Sequence, residues 1–125
     1  ASDLVVASPT LKLGYPETKH GIVGAIVMTG LTRQLGPKKA FELVALGEPL
    51  TADAALELGL INRVVADDKL LDEAVALAEK LAAINPVAMR ATKDLFYTVL
   101  ELPYDQAMAA GRDTNIAMRG FRNKT

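Results

Sequence analysis

The order of apolar and polar positions predicts two short strands at the start of the chain and helices along most of the remainder. Leu4 to Ala7 is an apolar run that Ser8-Pro9-Thr10 ends, which indicates a buried strand. Leu11-Lys12-Leu13 alternates and predicts a shorter second strand, and the polar stretch from Gly14 to Gly21 predicts a loop. Two short strands do not make a stable sheet, so we expect the first strand to need neighbours from outside this chain.

Helical spacing of apolar residues begins at Ile22 and continues to Leu35, where Gly36-Pro37 ends the segment. The other predicted helices begin with a proline or a small polar residue: Pro37 toward Gly47, Thr51 to Leu58, Asp67 or Asp68 to Leu81, Asn85-Pro86 to about Leu102, and Pro103 to about Gly120. Residues 60–65 predict one more strand or extended segment.

Composition limits the classes of function. The chain has 125 residues, which suits one domain, and half of them are hydrophobic. A net charge of −1 disfavours nucleic acid as a partner. The absence of cysteine excludes disulfides and thiolate sites, and the single histidine excludes a multi-histidine metal site. We interpret Asp67-Asp68 as a helix cap and not as a metal site. The longest apolar run is too short for a membrane span and no signal peptide is visible, so we expect a soluble, cytoplasmic protein.

The polar stretch LGYPETKHG holds two candidate chemical residues, Glu17 and His20. A carboxylate can transfer a proton, and histidine is the usual proton carrier near neutral pH. From the residues alone, a glutamate directly before a helix is more often a solvated charge favoured by the helix dipole. His20, between Lys19 and Gly21, is more simply a loop residue.

Several motifs occur together along the chain. They are Asp3-Leu4-Val5-Val6-Ala7, Leu13-Gly14-Tyr15-Pro16-Glu17, Gly21-Ile22-Val23, the segment from Ala45 to Ala52, Gly59-Leu60-Ile61 with Val64-Val65, and Asn85-Pro86 with Lys93. The combination resembles the second half of the crotonase superfamily, the enoyl-CoA hydratases and isomerases. The resemblance implies an α/β fold, the crotonase-like ββα spiral, represented here by its helix-rich C-terminal part. Residues 1–66 would end the spiral core, and residues 67–125 would form a helical region that assembles subunits into trimers or hexamers.

The resemblance also implies a chemistry and a site. Such a lyase would act on acyl-CoA thioesters in fatty acid metabolism through an enolate, with no metal or redox cofactor and with coenzyme A as part of the substrate. Glu17 corresponds to a catalytic glutamate that handles the proton at the α-carbon. The expected substrate-binding residues are Tyr15, Pro16, Gly24 and Ala25. The family does not rely on a histidine at position 20.

Other interpretations stay open at this point. Family members are about twice as long, and their first half carries the oxyanion-hole amides, so we expect a fragment that is inactive alone. An isomerase or thioester hydrolase of the same fold, or a non-catalytic helical assembly module, is the alternative. Basic residues are either contacts for the CoA phosphates or solvated helix ends: Lys38, Lys39, Arg112, Arg119, Arg122 and Lys124.

Overall fold

The structure is a computed structural model that describes residues 2–122. It contains two pairs of short strands. Strand β1 (Val6–Ala7) pairs in parallel with β4 (Arg63–Val64), and β2 (Lys12–Leu13) pairs antiparallel with β3 (Leu50–Thr51). The expectation that the first strand lacks a neighbour within the chain was therefore wrong. Pairing between segments 57 residues apart, such as the Val5 amide donating to Asn62 Oδ1 at 2.7 Å, leaves no trace in a local pattern.

Helices form most of the described chain. They are α1 (Ala25–Leu35), α2 (Pro37–Leu46), α3 (Ala52–Glu57), α4 (Leu70–Ala82), α5 (Pro86–Val99) and α6 (Tyr104–Ala117), with 3-10 helices at Pro16–His20, Asp67–Lys69 and Met118–Phe121. None of the helices within residues 2–122 combines the length and the apolar character that a membrane span requires.

Helix starts show where local signals succeeded and failed. Thr51 Oγ1 accepts a hydrogen bond from the Ala54 amide at 3.2 Å, and Asn85 Oδ1 accepts from the amides of Val87 and Ala88, so both predicted caps are confirmed. The cap predicted at Asp67 or Asp68 was wrong. Both residues lie inside a 3-10 helix preceded by Ala66, which makes no side-chain cap bond. Their charges instead occupy a first turn, where the helix dipole favours them.

The start predicted for the first helix, at Ile22, was also wrong. The Ile22 amide donates to Glu17 O at 2.9 Å, and the Ala25 amide donates to Val23 O at 2.8 Å. The backbone is therefore still turning through these residues, and α1 begins at Ala25.

The chain forms two compact units, and the first, Ala1–Val75, contains the buried core. One cluster joins α1 and α2 through Leu31, Ala40, Leu43 and Val44. A second cluster packs Ala7, Ala55 and Ile61 beside the β1–β4 pair. The first cluster carries the candidate site, because Tyr15, two residues before Glu17, packs against it.

The second unit, Ala76–Thr125, is built from α5 packed against α6, together with the later part of α4. Helices α4 to α6 contain no buried residue among those described, and Phe96 and Tyr97 make an edge-to-face contact at 5.4 Å between ring centres. The division of roles at residues 66 and 67, with an oligomerisation region after it, stays a prediction.

Candidate functional site

Glu17 lies on a short 3-10 helix, Pro16–His20, within the stretch predicted as a plain loop. Proline is suited to the first position of this turn because its φ angle is fixed and its missing amide donor is not needed there. Gly21 ends the turn with φ at 70°, a conformation that glycine adopts without strain, and its amide donates to Thr18 O at 3.1 Å. The loop prediction was therefore wrong over these five residues.

The Glu17 carboxylate is partly enclosed. Within residues 2–122, its Oε2 atom is buried and has no hydrogen-bond partner. The residue that precedes α1, Gly24, has no side chain to cap the helix, and among residues 2–122 no hydrogen bond joins the Glu17 carboxylate to the first amides of α1. Burying an unpaired polar atom costs free energy, and in native proteins such atoms often have a functional role.

Gly24 provides the space beside the carboxylate. It is buried, and a methyl group at this position would lie 3.9 Å from Glu17 Cδ, 3.2 Å from Val27 Cγ2 and 3.3 Å from Val44 Cγ1. A side chain at position 24 would therefore approach the Glu17 carboxyl carbon and crowd Val27 and Val44, and glycine leaves this space open. A carboxylate beside bare backbone, with one buried oxygen that has no hydrogen-bond partner among residues 2–122, is available to take up or release a proton.

Tyr15 is the second polar residue of the site. Its side chain packs against the cluster of Leu31, Leu43 and Val44 and is partly buried. Burial, and secondarily the negative charge of Glu17, raise the pKa of the Tyr15 phenol above its ordinary value of 10.0. The phenol therefore remains protonated beside the carboxylate at neutral pH.

The structure brings some predicted site residues together and leaves others at the edge. Tyr15, Glu17 and Gly24 meet around the core cluster. Pro16 and Ala25 are exposed neighbours in the chain, at the first positions of the 3-10 helix and of α1. The substrate-binding role of Tyr15, Pro16, Gly24 and Ala25, like the catalytic role of Glu17, stays a prediction.

Sequence reasoning missed the contribution of the end of α2. Thr18 Oγ1 donates to Val44 O at 2.9 Å and to Ala45 O at 3.3 Å, across 26 and 27 residues of chain. Gly47 was recognised as a helix stop, yet its close approach to the Tyr15 carbonyl was not foreseen. No signal in a single sequence pairs these positions.

Basic residues proposed as CoA contacts are partly occupied by local ion pairs. Lys39 Nζ lies 2.7 Å from Glu42 Oε2, and Arg112 Nε lies 3.3 Å from Asp113 Oδ1. Lys124 lies outside the described residues. Over residues 2–122, no group of three or more His, Cys, Asp or Glu side chains could hold a metal ion.

A groove between α5 and α6 offers a different kind of space. It has a volume of about 210 Å³ and is lined by Ala88, Ala91, Thr92, Leu95, Gly111, Thr114, Asn115 and Met118. None of these side chains is charged, so the groove itself supplies no proton-transferring carboxylate.

Comparison with known proteins identifies the family. The model of the enoyl-CoA hydratase/isomerase family matches residues 1–119. A Thermus thermophilus protein named "putative enoyl-CoA hydratase" is 44% identical over 103 residues, which cover 82% of this chain and 40% of that protein. The chain thus spans less than half the length of this curated relative.

Solved structures agree with the sequence comparison. An enoyl-CoA hydratase of Mycobacterium smegmatis superposes with a TM-score of 0.89 at 35% identity, over 94% of this chain and 46% of that one. A Thermobifida fusca protein, titled a putative enoyl-CoA hydratase in complex with CoA, gives 0.87 at 28% identity, with the same two coverages. The predicted α/β crotonase fold is confirmed, and the chain belongs to the enoyl-CoA hydratase/isomerase family of the crotonase superfamily.

Proposed function

We propose that the chain contributes Glu17 as the proton-transferring carboxylate of an enzyme that hydrates enoyl-CoA thioesters. One observation carries the proposal: Glu17 Oε2 is buried without a hydrogen-bond partner among the described residues, beside the bare backbone of Gly24. The hydratase names of similar proteins support hydration as the reaction class. The CoA complex of the Thermobifida fusca protein supports coenzyme A as part of the substrate.

The chemistry follows from the acidity of a carbon next to a thioester. In dehydration, the Glu17 carboxylate removes the α-proton, the electron pair moves onto the thioester oxygen as an enolate, and hydroxide leaves the β-carbon as the double bond forms. Hydration is the reverse, with a protonated Glu17 returning the proton to the α-carbon. Amide donors that stabilise the enolate oxygen lower the barrier. In this family those donors belong to the first half of the fold, so we expect the 125-residue chain alone to be inactive.

The isomerase and the thioester hydrolase remain the alternatives on this fold. An isomerase uses the same α-proton transfer and differs in where the proton is returned. A second carboxylate that activates water at the β-carbon would favour the hydratase. Coenzyme A as part of the substrate, a homo-oligomer and a cytoplasmic location stay predictions.

The proposal is tested with Glu17→Gln in a full-length family protein that carries this chain. Crotonyl-CoA hydration should fall by roughly 10²- to 10⁴-fold, because glutamine keeps the shape of the side chain and loses the proton-transferring group. Glu48→Gln is the matched control, because Glu48 is an exposed glutamate that is not among the side chains near Gly24 and the Glu17 carboxyl carbon. Unchanged turnover of Glu17→Gln on every acyl-CoA tried would refute the proposal. Robust hydration by the isolated chain would refute the separate expectation that the chain is inactive alone.

A further inference from the structure

We infer that Thr18 is a positioning residue that keeps Glu17 beside Gly24, because its hydroxyl binds the 3-10 helix to the last turn of α2. The inference rests on the proposed function of Glu17 and extends it to a residue that does not touch substrate. It predicts that the catalytic rate depends on a hydroxyl group that binds the backbone of α2 and not the carboxylate.

The hydroxyl binds two carbonyl groups that need a donor. Thr18 Oγ1 donates to Val44 O at 2.9 Å and lies 3.3 Å from Ala45 O. Both carbonyls belong to the last four residues of α2, which ends at Leu46, and carbonyls at a helix end lack partners within the helix. The Gly47 amide donates to Leu43 O at 3.1 Å, and the single Thr18 hydroxyl proton is directed to Val44 O, with Ala45 O at the longer distance.

Val44 contacts both Thr18 and the neighbourhood of Gly24. Its carbonyl accepts from Thr18, and its side chain lies 3.3 Å from the position that a methyl group at Gly24 would occupy. Gly24 in turn is the backbone beside the Glu17 carboxyl carbon. One buried residue therefore contacts the 3-10 helix that carries Glu17 through its carbonyl and the space at Gly24 through its side chain.

Gly47 allows the two elements to approach this closely. A methyl group at position 47 would lie 3.2 Å from Tyr15 O and 3.3 Å from Lys19 Cγ, and the φ angle of 59° disfavours any other residue. The end of α2 thus contacts the chain on both sides of Glu17, through Tyr15 and through Thr18 and Lys19.

The test replaces the hydroxyl while keeping the shape of the side chain. In the full-length protein, Thr18→Val should lower kcat for crotonyl-CoA hydration by roughly 10- to 100-fold with KM nearly unchanged, because a small displacement of a catalytic group has effects of this size. Thr18→Ser, which keeps the hydroxyl, should restore most of the rate. Thr18→Ala is the second variant if valine impairs folding.

Thr32→Val is the matched control. Thr32 Oγ1 also donates to one carbonyl, Met28 O at 2.8 Å, and lies 3.2 Å from another, Thr29 O, yet both belong to its own helix. Removing the Thr32 hydroxyl breaks no hydrogen bond to another helix or strand, so kcat should stay near the wild-type value.

A second readout reports the position of the carboxylate in the 125-residue chain. The Glu17 charge contributes to the raised pKa of Tyr15, so an alkaline titration of tyrosinate absorbance detects whether the carboxylate has moved. With Tyr97 and Tyr104 replaced by phenylalanine, Tyr15 is the remaining tyrosine. Thr18→Val should shift its pKa downward, in the direction of Glu17→Gln, and Thr32→Val should leave it in place.

The outcomes separate this inference from the proposed function. If Glu17→Gln abolishes hydration while Thr18→Val and Thr18→Ala keep wild-type kcat and tyrosine titration, the positioning role is wrong and the catalytic role stands. An equal loss of kcat in Thr32→Val would also overturn it. If Glu17→Gln has full activity, the proposed function fails, and the tyrosine titration still decides whether Thr18 positions Glu17.

Discussion

The two compact units differ in how much of their apolar surface they bury. The buried hydrophobic residues of the described chain all belong to Ala1–Val75: Ala7, Leu31, Ala40, Leu43, Val44, Ala52, Ala55 and Ile61. In the described part of Ala76–Thr125, Phe96, Leu100 and Met108 remain 56%, 60% and 58% exposed.

This difference indicates what each unit can do by itself. The chain's own core fixes the surroundings of Glu17, because Tyr15 and Val44 both belong to that packing. Both units keep large apolar side chains exposed in the single chain, such as Ile26 and Phe41 in the first and Phe96 and Leu100 in the second, but the second has no buried residue among those described to set against them. Exposed apolar surface of this kind is typical of interaction sites, which agrees with the homo-oligomer that stays a prediction.

The largest expected contrast comes from truncating one leucine in each unit. Leu43→Ala removes a side chain that is 5% exposed and should lower the free energy of unfolding by about 2 to 5 kcal/mol. Leu100→Ala removes one that is 60% exposed and should change it by less than about 0.5 kcal/mol. Urea denaturation of the 125-residue chain measures both. Equal losses would contradict the contrast between the units.

Adding a methyl group should have opposite signs in the two units. Gly24→Ala brings a Cβ to 3.2 Å from Val27 and 3.3 Å from Val44, so it should destabilise by about 1 to 3 kcal/mol through overpacking. Gly111→Ala, in the interior of α6, meets nothing within 4 Å and should stabilise by about 0.5 to 1 kcal/mol. Thermal unfolding measures whether each variant is stabilised or destabilised. A stabilising Gly24→Ala would show that Gly24, Val27 and Val44 are not tightly packed.

A smaller contrast concerns alkaline pH. Burial and the Glu17 charge raise the pKa of Tyr15 above 10.0, so the unfolded chain loses this proton first as pH increases. The contribution of Tyr15 to stability is therefore full below pH 10 and is lost as the pH rises through the folded-state pKa. Tyr15→Phe should weaken the alkaline decline in unfolding free energy, whereas Tyr104→Phe, at a 77% exposed position, should leave it unchanged. Identical pH profiles for both variants would contradict the enclosure of Tyr15.

Local signals in the sequence predicted those features that depend on neighbours along the chain. The caps at Thr51 and Asn85 are side chains that bind amides within three residues, so their residue types suffice. The motifs spread from Asp3 to Lys93 indicated the family in combination, whereas Pro16-Glu17 alone would have been a weak signal. The pairing of β1 with β4 and the bond from Thr18 to Val44 could not be predicted, because they join residues far apart in the chain.

Glu17 shows the same limit within the site itself. The sequence left open whether it is a working carboxylate or the charge before a helix. In the structure Glu17 lies in the first turn of a 3-10 helix, and its Oε2 is buried without a partner among residues 2–122, beside Gly24. The sequence pattern alone does not show that the Gly24 backbone lies beside the Glu17 carboxyl group.

Exchange of the α-proton tests the role of Glu17 most directly. A saturated acyl-CoA is incubated in deuterium oxide with the full-length protein, and deuterium at the α-carbon is measured by mass spectrometry. We predict incorporation with the wild-type protein and with Glu48→Gln, and at least about a hundredfold slower incorporation with Glu17→Gln. Equal incorporation by Glu17→Gln and the wild type would contradict the assignment of Glu17 as the residue that moves this proton.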